Sequence, residues 1–142
     1  MKKYKIILLV ILIFCSCVKE NYDNYIYSIK NDSGKTVTVK SYLSDFSNVQ
    51  PIITNLSAGE EITKTYTTRN SYSFADFFGD GDSFRDSIVV IYENQRIEVF
   101  NTNDCENIRN PLNICEYNSL IETFIFSEED YLNAEPCNGN CD

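Results

Sequence analysis

Asp86 to Tyr92 reads DSIVVIY, and its four consecutive branched aliphatics, Ile88, Val89, Val90 and Ile91, limit what the surrounding chain can fold into. Successive residues of a strand point to opposite faces, so an unbroken apolar run has to be covered on both sides. That requirement places the segment centrally in a sheet and makes it the heart of the core. Glu93-Asn94-Gln95 then reads as a turn into Arg96 to Phe100, where Ile97 and Val99 are expected to point inward, giving a hairpin.

The remaining strands are read from period-two alternation. Asn24 to Lys30, NYIYSIK, sets Tyr25, Tyr27 and Ile29 on one face, and Lys35 to Leu43, KTVTVKSYL, does the same with Val37, Val39 and Leu43. Asn31-Asp32-Ser33-Gly34 between them is a turn, so the pair is expected to form an antiparallel hairpin. Pro51 to Asn55, with Pro51 suited to a first or edge position, Glu61 to Thr67 and Leu120 to Phe126 are further strands. Ser127-Glu128-Glu129-Asp130 fits the start of a short helix, with Ser127 as N-cap and early acidic residues facing the positive helix end. By strand count and spacing the chain is mostly β, an antiparallel, immunoglobulin-like β-sandwich of about seven strands with a short C-terminal helix. Residues 24–142 are expected to make one domain, since the roughly 125 residues that follow the first sixteen suffice for a single core.

The first seventeen residues, MKKYKIILLVILIFCSC, have a different composition. Lys2, Lys3 and Lys5 form a positive start, and Ile6 to Phe14 is an apolar run of roughly nine residues, the pattern of a secretory signal. A spanning helix needs about twenty apolar residues, so this run is too short to be the anchor itself. Phe14-Cys15-Ser16-Cys17 resembles the lipobox of bacterial lipoproteins, in which a small residue precedes a cysteine that is acylated and becomes the first residue of the mature chain. The resemblance implies a signal peptide over residues 1–16 and a lipidated Cys17, followed by a polar tether to residue 23. An ordinary signal peptide cut after Ser16 without lipid is the competing reading. With Cys15 removed and Cys17 acylated, Cys105, Cys115, Cys137 and Cys141 remain, and in an oxidising envelope such an even set reads as two disulfides. Local closure favours Cys105 with Cys115 and Cys137 with Cys141. A four-thiolate zinc site fits poorly, because its ligand pairs are usually spaced more tightly.

The lipobox, the opening strand leading to N-x-S-G, the D-S-I-x-x-x-Y strand with its turn and short charged strand, and the closing F-S-E-E-D-Y-x-x-A together resemble uncharacterised small lipoproteins of the Bacteroidota. That resemblance implies a compact β-rich domain on the outer-membrane lipid, periplasmic or surface-exposed, and brings no known active site. Lys19-Glu20 is similar to the charged signal of surface-displayed lipoproteins in that phylum, but two residues in a tether read first as a solvated linker. Asp86-Ser87-Ile88 resembles its acceptor motif for protein O-glycosylation, against a simple structural role at a strand start.

The chain has no histidine, which removes the usual general base and the Ser-His and Cys-His dyads. No S-x-x-K, G-x-S-x-G or phosphate-cradling glycine motif occurs. Carboxylates alone could hydrolyse a glycoside, but Glu60, Glu61, Glu128 and Glu129 read as solvated surface. The net charge of −9, which becomes more negative once the three leader lysines are removed, argues against nucleic acid. Thr68 to Arg85 is a long polar and aromatic loop, and loops carry binding. Tyr72, Phe74, Phe77, Phe78 and Phe84, with Tyr66 beside them, are the candidate contact residues, unless they fold back onto the core. Asp76, Asp80, Asp82 and Asp86 are weak calcium candidates whose spacing misses the EF-hand pattern. The expected function is a non-catalytic envelope lipoprotein that needs no cofactor and binds a protein or glycan partner. A structural subunit of an outer-membrane assembly and a carboxylate-based hydrolase are the alternatives.

Overall fold

A computed structural model describes residues 22–42, 50–68, 72–79, 86–102, 104–137 and 139–141 of the chain. Within them the strands are β1 (Asp23–Asp32), β2 (Val37–Tyr42), β3 (Ile52–Leu56), β4 (Glu61–Thr68), β5 (Ser87–Tyr92), β6 (Arg96–Asn101), β7 (Ile121–Ser127) and the two-residue β8 (Glu135–Pro136). They form a three-stranded sheet in the order β4-β1-β7 and a five-stranded sheet in the order β3-β2-β5-β6-β8. The two sheets close on one core. Tyr27, Ile29, Phe124 and Phe126 of the smaller sheet share it with Val37, Val39, Ile88, Val90, Tyr92 and Phe100 of the larger. This is the mostly β, two-sheet architecture that the alternation implies, and β5 is the middle strand of its sheet.

Four expectations are corrected. β1 and β2 do not form a hairpin: β1 pairs with β4 and β7, and β2 pairs with β3 and β5. The reason lies in the corner between them. Buried Asn31 donates to the carbonyls of Lys35, Leu56 and Ser57 at 2.7, 3.1 and 3.0 Å, and its Oδ1 accepts from the Ser33 amide and hydroxyl. With the corner folded around that amide, and Gly34 at φ 73°, the chain crosses from one sheet to the other.

The sandwich is also not wholly antiparallel, because β7 lies parallel to β1 with Ile26 beside Ile121. β6 finishes at the end of the domain where β1 begins. The segment between β6 and β7 reaches along the domain as far as Ile125 and Asp130 through Arg109 and returns to that end before Ile121, so β7 sets out in the same direction as β1. Cys105–Cys115 ties this connection, and buried Asn110 and Asn113 hold it by bonds to the carbonyls of Asn101 and Asn107 at 2.7 and 3.1 Å. The strand count rises to eight because β8 adds to the outer edge of β6.

The fourth correction concerns β6, whose phase is opposite to the expected one. Phe100 is buried and Val99 is 56% exposed, so Arg96, Glu98 and Phe100 face the core side while Ile97 and Val99 face outward. Pairing fixes this phase: Glu98 lies opposite Val90 and Phe100 opposite Ile88, both fully buried. The turn before β6 forms as expected, with Glu93 and Asn94 both at positive φ.

After β7 comes helix α1 (Glu128–Asn133). Ser127 is its N-cap: its hydroxyl accepts from the Asp130 amide at 3.2 Å, and its own amide donates to the Asp130 carboxylate at 2.7 Å. Arg96 closes the other end by donating to the carbonyls of Leu132 and Ala134, both at 2.8 Å. Cys137–Cys141 is formed as well, so both disulfides pair as local closure favours.

Candidate functional site

The aromatic loop is folded into the domain. Phe74–Phe78 is a 3-10 turn in which Phe74, Phe77 and Phe78 are buried and Tyr72 packs against the core. Phe74 sits edge-on to Tyr27 with ring centroids 5.4 Å apart, and Tyr66 stacks on Tyr72 at 4.7 Å. The backbone is pinned from outside, since the Lys64 ammonium reaches the Phe77 carbonyl and the Tyr66 hydroxyl donates to Asp76 O at 3.3 Å. Phe74, Phe77 and Phe78 are therefore core and offer no ring face to a sugar or a partner; the spacing F-x-x-F-F puts its rings on one side of a short turn, and that side faces inward. Phe84, Asp80 and Asp82 lie outside the described residues. Asp76 accepts from the Ser73 amide at 2.6 Å and the Ser73 hydroxyl at 3.1 Å, so its carboxylate caps the turn. Asp86 is partly buried where the chain enters β5. No group of three or more acidic, cysteine or histidine side chains able to hold a metal is found among the described residues.

Two arrangements that the sequence reading did not single out remain. One is a charged corner beneath α1. Arg109 grips Asp130 with two nitrogens, Nε at 3.0 Å from Oδ1 and Nη2 on Oδ2, and Nη2 also donates to Ile125 O at 2.7 Å. The guanidinium lies 4.7 Å from the centroid of the Phe124 ring. Glu98 enters the same region from β6. Its Oε2 is shut off from solvent and finds no hydrogen-bond partner among the described residues. Burial, reinforced by the Asp130 charge and partly offset by Arg109, pushes the Glu98 carboxyl up to about 7. Burial likewise pushes the neighbouring Tyr92 hydroxyl up. The signal for this corner was present in R-I-E-V-F, where Glu98 shares its face with Phe100.

The corner holds one carboxyl close to neutrality and a second saturated by its partners. Glycoside hydrolysis needs two carboxyl groups flanking one cleft, with the second acting as nucleophile or base. Asp130, gripped by Arg109 and capping α1, is not placed for that role. A hollow of about 340 Å³ beside Glu98, lined also by Ile97, Val99, Asn133 and Glu135, is open to solvent.

The other arrangement is the outer face of the five-stranded sheet. Two hollows, of about 540 and 360 Å³, meet at Lys40. The first is lined by Thr36, Thr38, Ile91 and the Glu93–Gln95 turn, and the second by Tyr42, Val89, Ile97 and the loop closed by Cys137–Cys141. An aliphatic floor of Val89, Ile91 and Ile97 is thus rimmed by hydroxyl, amide and charged groups. The disulfide loop is held against this face by the Cys137 amide on Gln95 O at 2.8 Å and the Cys141 amide on Asn94 Oδ1 at 3.2 Å.

Residues 1–21, Cys17 among them, lie outside the described residues, and among those that are described no helix is long and apolar enough to cross a membrane. Compared with family models, with curated proteins and with solved structures, the chain matches none.

Proposed function

We propose that the protein is a lipid-anchored lipoprotein of the cell envelope whose sandwich binds a protein or glycan partner without transforming it. The observation that carries this reading is the leader: a positive start and a short apolar run that end at Ser16-Cys17. The two disulfides accord with an oxidising compartment. Two or three acyl chains on Cys17, at about 0.8 kcal/mol per buried methylene, hold such a chain on a bilayer almost permanently.

The contact surface is the outer face of the five-stranded sheet around Lys40, Tyr42, Val89, Ile91 and Ile97, in place of the aromatic loop. A rigid aliphatic floor with a polar rim suits recognition, because its side chains are ordered before the partner arrives. The saturated Asp130 favours binding over hydrolysis. Labelled palmitate is expected in the wild type and not in Cys17→Ala, and an unlabelled wild type refutes the anchor. Crosslinking in intact cells and a glycan array, each run with wild type and Val89→Glu, test the surface. A partner retained unchanged by Val89→Glu removes that face from the proposal.

A further inference from the structure

The end of the sandwich where β1 begins carries an apolar patch. Tyr22, Leu120 and Ile121 are 51%, 48% and 66% exposed, and Ile26 is 37% exposed beside them. The β1–β7 pairing makes three of them neighbours: Ile26 lies alongside Ile121, and the Ile26 amide donates to Leu120 O at 2.8 Å. Tyr22 immediately precedes β1. Only Val18 to Tyr22 separate Cys17 from the first strand, and a fully extended chain of that length reaches about 20 Å at most.

We infer that this end is a membrane-contact surface, laying Tyr22, Leu120 and Ile121 against the interfacial region of the bilayer that holds the Cys17 acyl chains. The inference rests on the lipid-anchor reading of Cys17 and adds an orientation to it. A tether this short keeps the patch at high effective concentration near the lipid, so a weak apolar contact is enough to persist. Tyrosine, with an apolar ring and a polar tip, is enriched at the membrane interface, and leucine and isoleucine settle at the boundary of headgroup and acyl chain. Asp23 and Glu122 at the same end disfavour anionic headgroups, so zwitterionic lipid is the occupant. In this orientation the far end, with Asp32, Glu61, Glu93 and α1, points away from the bilayer.

The chain has no tryptophan, so a single introduced tryptophan is a clean reporter. Full-length lipidated Leu120→Trp, Ile121→Trp and, as a control at the far end, Leu132→Trp are reconstituted in phosphatidylcholine vesicles with plain or brominated acyl chains. All three positions are exposed, so the fold tolerates the change. Bromination should cost Leu120→Trp and Ile121→Trp roughly half of their emission and leave Leu132→Trp unchanged. Vesicle-bound protein with no quenching at either position overturns the contact surface while leaving the anchor intact, whether the patch then proves free or covered by a second copy. Protein that does not float with vesicles at all overturns the anchor reading and this inference with it.

Discussion

The aromatic plug around Phe74 and the charged corner around Glu98 are both taken into the interior, but their polar atoms are met differently. In the plug, the Tyr27 hydroxyl donates to Tyr72 O at 3.0 Å, the Tyr66 hydroxyl to Asp76 O, and Asp76 caps its own turn. In the corner, Asp130 has four donors from Arg109 and Ser127, whereas Glu98 keeps an oxygen unmatched among the described residues. Apolar rings gain from burial, and a carboxylate loses unless it is paired. The plug is therefore stability alone, while the corner ties part of the domain's stability to proton concentration.

Truncating the plug is the most damaging change. Phe74→Ala removes a fully buried ring that touches Tyr27, Phe77, Phe78 and Tyr117, and should cost about 3–5 kcal/mol in urea unfolding. An unchanged midpoint would mean the loop is not part of the core. Next is Asp130→Ala, which strands Arg109 and removes the cap of α1 together, with an expected loss of about 3 kcal/mol. A loss within the range of an exposed pair would demote the corner to surface.

Glu98→Gln sharpens the contrast through pH. The folded carboxyl sits up at about 7, above its ordinary value of 4.5, so both folded and unfolded chains are protonated below about 4.5 and Glu98 then contributes nothing. As pH rises from there to 7 the unfolded chain ionises first and stability falls; above 7 the full penalty is present. Part of the side chain borders a hollow open to solvent, so the penalty is about 1–2 kcal/mol after screening. Glu98→Gln should be more stable than wild type by that amount at pH 8 and nearly equal at pH 4, and a flat difference across this range removes the assignment. The plug titrates far away, since burial holds the Tyr27 and Tyr66 hydroxyls up at about 12, so its own contribution falls only above about pH 10. Smallest is Asp76→Ala, which loses the cap of the 3-10 turn at about 1 kcal/mol.

What could be read in the sequence follows from the range of the interaction behind it. Tyr25, Tyr27 and Ile29 announce a strand because alternation is local, and Ser127 with Asp130 announces a helix start within one turn. Cys105–Cys115 and Cys137–Cys141 were legible as short closures. Alternation does not name a strand's partner, so the crossing at Asn31 was hidden: it depends on carbonyls of Leu56 and Ser57, some 25 residues away in sequence. The phase of β6 was ambiguous because I-x-V and E-x-F alternate equally well, and only pairing with Val90 and Ile88 decides between them. The candidate site misled for a related reason. Phe74, Phe77 and Phe78 lie in a connection, where aromatics suggest contact, and composition does not say which way a short turn faces. The hollow at Lys40 combines residues from β2, β5, β6 and the last disulfide loop, and no local pattern joins them.

The proposed lipid anchor is tested most directly by the mass of the chain's first peptide, taken from protein extracted with cell membranes. A peptide that begins at Cys17 and carries the added mass of its acyl chains is the predicted result. An unmodified chain that still begins at Met1 would contradict it.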